Sequence, residues 1–186
     1  MRIEHLTKRF GSETVFSDLT LEISSGVTCL MAPSGRGKTT LLRILLGLEK
    51  ADSGTLHDIP DRWGVMFQEN RLLENLTAME NLRFAIGPAL HEPAAADMLQ
   101  RLGLGEEGEK AVKDYSGGMK RRLALARALL APSQALALDE PFAGLDDGNK
   151  SVCAALIREA AREKPVLLVT HDSDDIAALQ AAVLFL

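Results

Sequence analysis

The sequence predicts an α/β fold around a mainly parallel sheet, with a run of strands at its N-terminus and a helical subdomain inserted midway. Two observations carry this. Short apolar runs, Val27–Met31, Ala135–Leu138 and Val166–Val169, alternate with helical segments. Buried parallel strands joined by crossover helices read this way. Between residues 70 and 117 the strand signals stop and apolar residues recur at helical spacing. The 186 residues suffice for one well-buried core. We divide this single domain into a core, 1–69 and 118–186, and a helical subdomain, 70–117.

Taken in order, Ile3–Leu6 opens a strand, Lys8–Ser12 is expected to turn, and Leu19–Ile23 alternates as a half-buried strand does. Ser24-Ser25-Gly26 turns the chain into Val27–Met31. Leu41–Leu46 then reads as a helix stopped by Gly47. After a break at Ala51–Gly54, Thr55–Ile59 and Trp63–Phe67 are short strands ending at Gln68-Glu69. Leu72, Leu73 and Leu76 are expected on one helix, Met79, Leu82 and Phe84 on the next, and Ala94–Leu102 on a third closed by Gly103. Met119–Leu130, Ser151–Arg162 and Asp172–Ala182 are the remaining helices.

Composition narrows the classes. The chain is 46% hydrophobic and 25% charged with a formal net charge of −5, which argues against nucleic acid as a partner. No apolar run is long enough to span a bilayer and the N-terminus lacks an apolar leader. Cys29 and Cys153 lack metal-ligand spacing and read as small buried hydrophobes in a reducing compartment. A cytoplasmic protein with at most peripheral membrane contact is expected.

Three stretches carry chemistry. Ala32-Pro33-Ser34-Gly35-Arg36-Gly37-Lys38-Thr39-Thr40 joins a buried strand to a helix, so its backbone N–H groups form a cradle for phosphate oxygens. Lys38 is placed to reach β- and γ-phosphates, and Thr39 offers a hydroxyl to Mg²⁺. An ordinary glycine turn has no use for Lys-Thr after its last glycine. The first glycine of such a loop is here Ala32, at a cost of roughly 1 kcal/mol if that position needs a positive φ. Asp139-Glu140 closes an apolar strand at the sheet edge where ligands gather. Asp139 suits indirect Mg²⁺ binding, and Glu140 suits polarising a water that attacks a γ-phosphate. Ser116-Gly117-Gly118 opens a helix and offers a second anion site, although an N-cap alone is the commoner meaning. Two phosphate-type sites for one nucleotide point to a dimer.

In this order the motifs resemble the ATP-binding cassette (ABC) ATPases. Ala32–Thr39 is similar to Walker A, Gln68 after Phe67 to the Q-loop, and Tyr115-Ser116-Gly117-Gly118-Met119 to the signature. Leu136–Glu140 resembles Walker B, Gly144-Leu145-Asp146 the D-loop, and His171 after Val169-Thr170 the switch histidine. The resemblance implies a RecA-like P-loop NTPase core, an antiparallel β-subdomain at the N-terminus, and ATP with Mg²⁺ as ligands. It implies that Pro33, Ser34, Gly35, Arg36, Gly37, Lys38, Thr39 and Thr40 hold the phosphates and that Phe10 stacks on adenine, a residue that packing on the core explains nearly as well. It also implies that Thr39, Gln68 and Asp139 hold the metal, with Glu140 as general base, His171 on the γ-phosphate, and Gln68 and Lys38 assisting. Ser116, Gly117 and Gly118 would complete the site of a second ATPase subunit, most simply another copy.

The chain departs from the family at Tyr115, where leucine is usual, and at Met119, where glutamine is. The stretch from Gly54 to Phe67 is short for the β-subdomain, and the family's closing strands and helix are expected to be missing or reduced after His171. Phe67–Thr77, with Glu80-Asn81-Leu82, is similar to the segment of nitrate, sulfonate and taurine importer ATPases that receives a membrane subunit's coupling helix. That implies integral membrane partners at Gln68–Asn81 and a place on the cytoplasmic face of the inner membrane. A plain amphipathic helix burying Leu72, Leu73 and Leu76 is the competing reading. Repair or translation ATPases of this family need long coiled coils, tandem cassettes or basic surfaces, which have no room here. A small P-loop kinase has no use for Ser116-Gly117-Gly118 or for His171. A degenerate cassette that binds ATP without efficient turnover remains the alternative, kept open by Ala32 and Met119.

Overall fold

The computed structural model describes residues 1–33 and 35–186. Along the chain come β1 (Arg2–Phe10), β2 (Glu13–Glu22), β3 (Val27–Met31), α1 (Lys38–Leu45), β4 (Ser53–His57) and β5 (Trp63–Met66). There follow α2 (Ala78–Ile86), α3 (Glu92–Arg101), α4 (Gly117–Leu130), β6 (Ala135–Asp139), α5 (Asp147–Ala160), β7 (Val166–Val169), α6 (Ser173–Leu179) and β8 (Ala182–Phe185). A three-stranded sheet has the order β2-β1-β4 with antiparallel pairs. A five-stranded sheet has the order β5-β6-β7-β3-β8 with parallel pairs.

The central strands are buried on both faces, as their uninterrupted apolar character requires. Successive side chains alternate between faces. Leu136, Leu138, Val166 and Leu168 join a core with α4 and α5, while Ala137, Leu167 and Val169 join one with α1 and the antiparallel sheet. Leu82 of α2 and Ala95 and Leu99 of α3 belong to the first core, so the helical insertion shares it. Gly64 marks a tight contact between backbones. A Cβ there would stand 2.2 Å from the Ala128 carbonyl oxygen and 2.6 Å from Leu136 Cδ2, so only glycine lets α4 lie this close to β5.

Three local expectations change. Lys8–Phe10 continue β1, because Gly11 at φ 57° turns the hairpin within two residues. Leu72, Leu73 and Leu76 form no helix. Buried Asn81 fixes that stretch as a loop: its Oδ1 accepts from Leu73 N at 2.8 Å, and its Nδ2 donates to Leu73 O at 3.0 Å and Thr77 O at 2.9 Å. The loop therefore satisfies its backbone through a side chain, and α2 starts only at a Thr77–Glu80 capping box. Lastly, Ala182–Phe185 form a strand, hydrogen-bonded to β3 in parallel register from Thr28↔Ala182 to Met31↔Phe185.

Both cysteines are free and buried. Burial raises the Cys29 thiol above its ordinary range and pushes Cys153 up to about 11. Since the thiolate is the reactive form, a thiol-disulfide reagent at pH 8 should label neither cysteine of the native protein and both in denaturant. Absorbance during labelling checks this, and rapid reaction of the native chain would contradict the packing.

Candidate active site

The site collects at the C-terminal edge of the parallel sheet. Past β3, the chain turns at Gly35 (φ 80°) and Gly37 (φ 86°) into α1, whose N-cap is Gly37. A Cβ on Gly37 would meet Val15 Cγ1 at 2.4 Å and Phe16 Cζ at 2.6 Å, so the antiparallel sheet presses on the loop from behind. Ala32 does not adopt a positive φ, and the strain considered for that position does not arise. Lys38 Nζ donates to Ala32 O at 2.6 Å and Pro33 O at 3.3 Å, which holds its charge across the mouth of the loop. Ser34 lies outside the described residues.

Gly35, Gly37, Lys38, Thr39 and Thr40 line one cleft together with half-exposed Phe10, Glu13 and Val15. Lys8 Nζ stands 4.6 Å from the Phe10 ring centroid. Phe10 thus sits on a strand beside the loop with its ring in the open, not packed into the core. Pro33 and Arg36 are exposed and line neither cleft.

Thr39, Gln68 and Asp139 meet in a second cleft of about 380 Å³, with Leu42, Arg43 and Phe67 among its walls. Hydroxyl, amide and carboxylate oxygens facing one space are the donors a hard divalent cation takes, with coordination positions left for water and phosphate. Asp139 is 6% exposed, and burial raises its carboxyl above the usual range, helped by Glu140 and opposed by Arg121 and Lys38.

Glu140 follows β6 at φ 50°, a left-handed conformation uncommon for a side chain of this kind. The strain is held by bonds on both sides. Its N–H donates to Val169 O at 2.8 Å, and the Arg121 guanidinium donates to its carbonyl. This posture turns the carboxylate toward the end of β7. There Glu140 Oε1 lies 2.8 Å from His171 Nδ1, and Oε2 lies 3.3 Å from Thr170 Oγ1. The carboxylate pushes the His171 imidazole above its usual pKa, favouring the imidazolium. Thr170 Oγ1 is also 2.8 Å from Asp175 Oδ2, and Lys150 of α5 pairs with Asp175 at 2.5 Å. Lys150 and Asp175 are supports that no motif pointed to, whereas Thr170 belongs to the run that leads into His171.

Ser116 caps α4, accepting from Met119 N at 3.2 Å. Gly118 abuts Gly144 O and Leu145 Cδ2, each 3.5 Å from where its Cβ would stand. Ser116 and Gly117 are exposed, and none of residues 116–118 lines either cleft. Tyr115 is buried in the core and donates its hydroxyl to Glu107 O at 3.1 Å. The site therefore brings together Lys38, Thr39, Gln68 and Asp139 on one side and Glu140 with His171 beside them, and leaves the serine-glycine pair apart.

Residues 16–143 match the family model described as ABC transporter, more than half of the chain. The chain belongs to the ABC transporter family. Among its ABC relatives, the aliphatic sulfonates import ATP-binding protein of Paraburkholderia xenovorans is 40% identical over 185 residues, covering 98% of this chain and 74% of that protein. The sulfate/thiosulfate import ATP-binding protein of Yersinia pseudotuberculosis is 36% identical over 197 residues, 94% of this chain and 54% of that one. The chain thus spans about half the length of these sulfate/thiosulfate relatives. A solved ATP-binding subunit of an ABC transporter superposes with a TM-score of 0.88 at 22% identity, over 100% of this chain and 85% of its own. Its fold is that of the ABC ATP-binding subunit: a P-loop core, an antiparallel sheet and an inserted set of helices.

Gly37→Ala tests the loop. Positive φ and the collision with Val15 and Phe16 together should cost at least about 2 kcal/mol. Thermal unfolding should show a drop of several degrees, and an unchanged midpoint would contradict the described contact.

Proposed function

We propose that this chain is the ATP-hydrolysing subunit of a bacterial import system for a small solute. The observation that supports it most is the convergence of a P-loop lysine, Asp139, Glu140 and His171 at one sheet edge, with an exposed serine-glycine helix cap outside both clefts. Backbone N–H groups from Gly35 to Thr40 and the Lys38 ammonium hold the β- and γ-phosphates of ATP. Pro33, Ser34 and Arg36 bind the nucleotide with them, and Phe10 stacks on the adenine. Thr39, Asp139 and Gln68 hold Mg²⁺. That ion, when bound, neutralises charge on the transferring phosphoryl group. Glu140 accepts the proton of the attacking water, and protonated His171 donates to the γ-phosphate.

Ser116, Gly117 and Gly118 act on the nucleotide of a second copy, so two chains close over two ATP molecules. Integral membrane subunits seat on the Gln68–Asn81 segment and place the protein on the cytoplasmic face of the inner membrane. Nucleic acid is not a partner, in keeping with the formal net charge of −5. Residues 1–69 and 118–186 form the nucleotide-binding core and 70–117 the helical signature subdomain. The names of the sulfate/thiosulfate and sulfonate relatives favour a sulfur oxyanion as the solute.

Glu140→Gln, weighed by light scattering, tests the closure. It should be a monomer alone and a dimer with Mg-ATP, since closure is kept and hydrolysis lost. A monomer in both states despite bound ATP would favour a cassette that binds without efficient turnover, or one whose dimer needs the membrane subunits to form. Lys38→Ala should lower ATP hydrolysis by roughly 10²-fold or more, because it removes charge from the reacting phosphate. Wild-type turnover would sink the loop assignment. Ser116→Arg should abolish turnover and leave nucleotide binding to the monomer intact, and loss of both in an equilibrium binding assay would argue for a site within one chain.

A further inference from the structure

Arg121, in the second turn of α4, is 4% exposed and forms no ion pair among the described residues. Its bonds go to backbone carbonyls and one amide. Nη1 donates to Gln68 O at 2.8 Å, Phe67 O at 3.0 Å and Asn70 Oδ1 at 3.0 Å. Nη2 donates to Asp139 O and Glu140 O, and Nε to Glu140 O at 3.1 Å. The place of these bonds matters. The β5–β6 ladder ends at the pair Met66↔Leu138. Beyond it, Phe67–Asn70 leave the sheet while Asp139 still pairs with Val169. One guanidinium supplies the hydrogen bonds just where the strands part.

We propose that Arg121 is a positioning residue that ties the Gln68 loop to the catalytic carboxylates. A planar guanidinium offers donors in a fixed fork, so it holds two sets of carbonyls in one relative arrangement. A buried charge satisfied only by dipoles is costly to strand, so the two loops move together or not at all. Arg127, two turns along the same helix, repeats the grip farther out, donating to Asn70 O at 2.9 Å and Arg71 O at 2.7 Å. A displacement of the loop at Gln68–Leu76 therefore reaches Glu140 through Arg121. This function of Arg121 rests on the hydrolysis proposed above; the clamp itself does not.

Arg121→Lys keeps the charge and reaches only one set of carbonyls. Circular dichroism and a cooperative melt establish that the variant folds. Without nucleotide, amide exchange at 67–76 and 139–143 should rise roughly tenfold or more while β3 and β7 keep their protection. Unchanged exchange in both segments would overturn the clamp. With Mg-ATP, kcat should fall roughly ten- to a hundredfold at a KM changed by less than about twofold. Adding Asn70→Ala, which removes another anchor of the same guanidinium, should cost little more, because both variants break one connection. Losses that multiply would overturn the coupling. A wild-type chain without hydrolysis would refute the proposed function, and exchange would still decide the clamp.

Discussion

The site depends on the parallel register of β6, β7 and β3. Leu30 pairs with Val169, and Val169 pairs with Asp139. The phosphate loop, the acidic pair and the Thr170-His171 pair consequently leave the sheet at one level. A slip of one residue in β6 would turn Asp139 away and send an apolar side chain to the cleft, since alternate residues face opposite ways. Leu138 and Ala137 feed different cores, so such a slip would also misplace buried surface on both sides of the sheet. Packing on two faces thus fixes chemistry at one edge of the sheet.

Charge is distributed so that each group keeps a free end. Arg121 stands beside Asp139 yet bonds to its carbonyl, not to its carboxylate. The carboxylate remains open to the cleft, while the nearby positive charge offsets some of the cost of its burial. The same logic holds at the other end, where Lys150 neutralises Asp175 and Asp175 engages the Thr170 hydroxyl. Glu140 is then held between His171 and the backbone of its neighbours, with the strain of its φ carried by those bonds.

Much of this was legible in the residues. The wholly apolar runs at Val27, Ala135 and Val166 announce a doubly covered parallel sheet, and the glycine-lysine-threonine loop, the acidic strand end and the serine-glycine cap name the chemistry. What escaped is tertiary. Leu72, Leu73 and Leu76 have helical spacing, but Asn81 gives their backbone a competing set of partners, and spacing does not register such a bond. Phe10 looked like a turn residue because a two-residue hairpin leaves little mark on composition. No motif marks out Arg121 and Arg127. Only the fold reveals that the strands part beside them.

The missing side chain at Gly64 has a mechanical consequence. With the Ala128 carbonyl pressed against β5, α4 has no room to slide or roll at its C-terminal half, so it is bolted to the sheet. Ser116 sits at the far end of that bolted rod, three turns away. The serine that reaches outward is therefore part of the rigid frame.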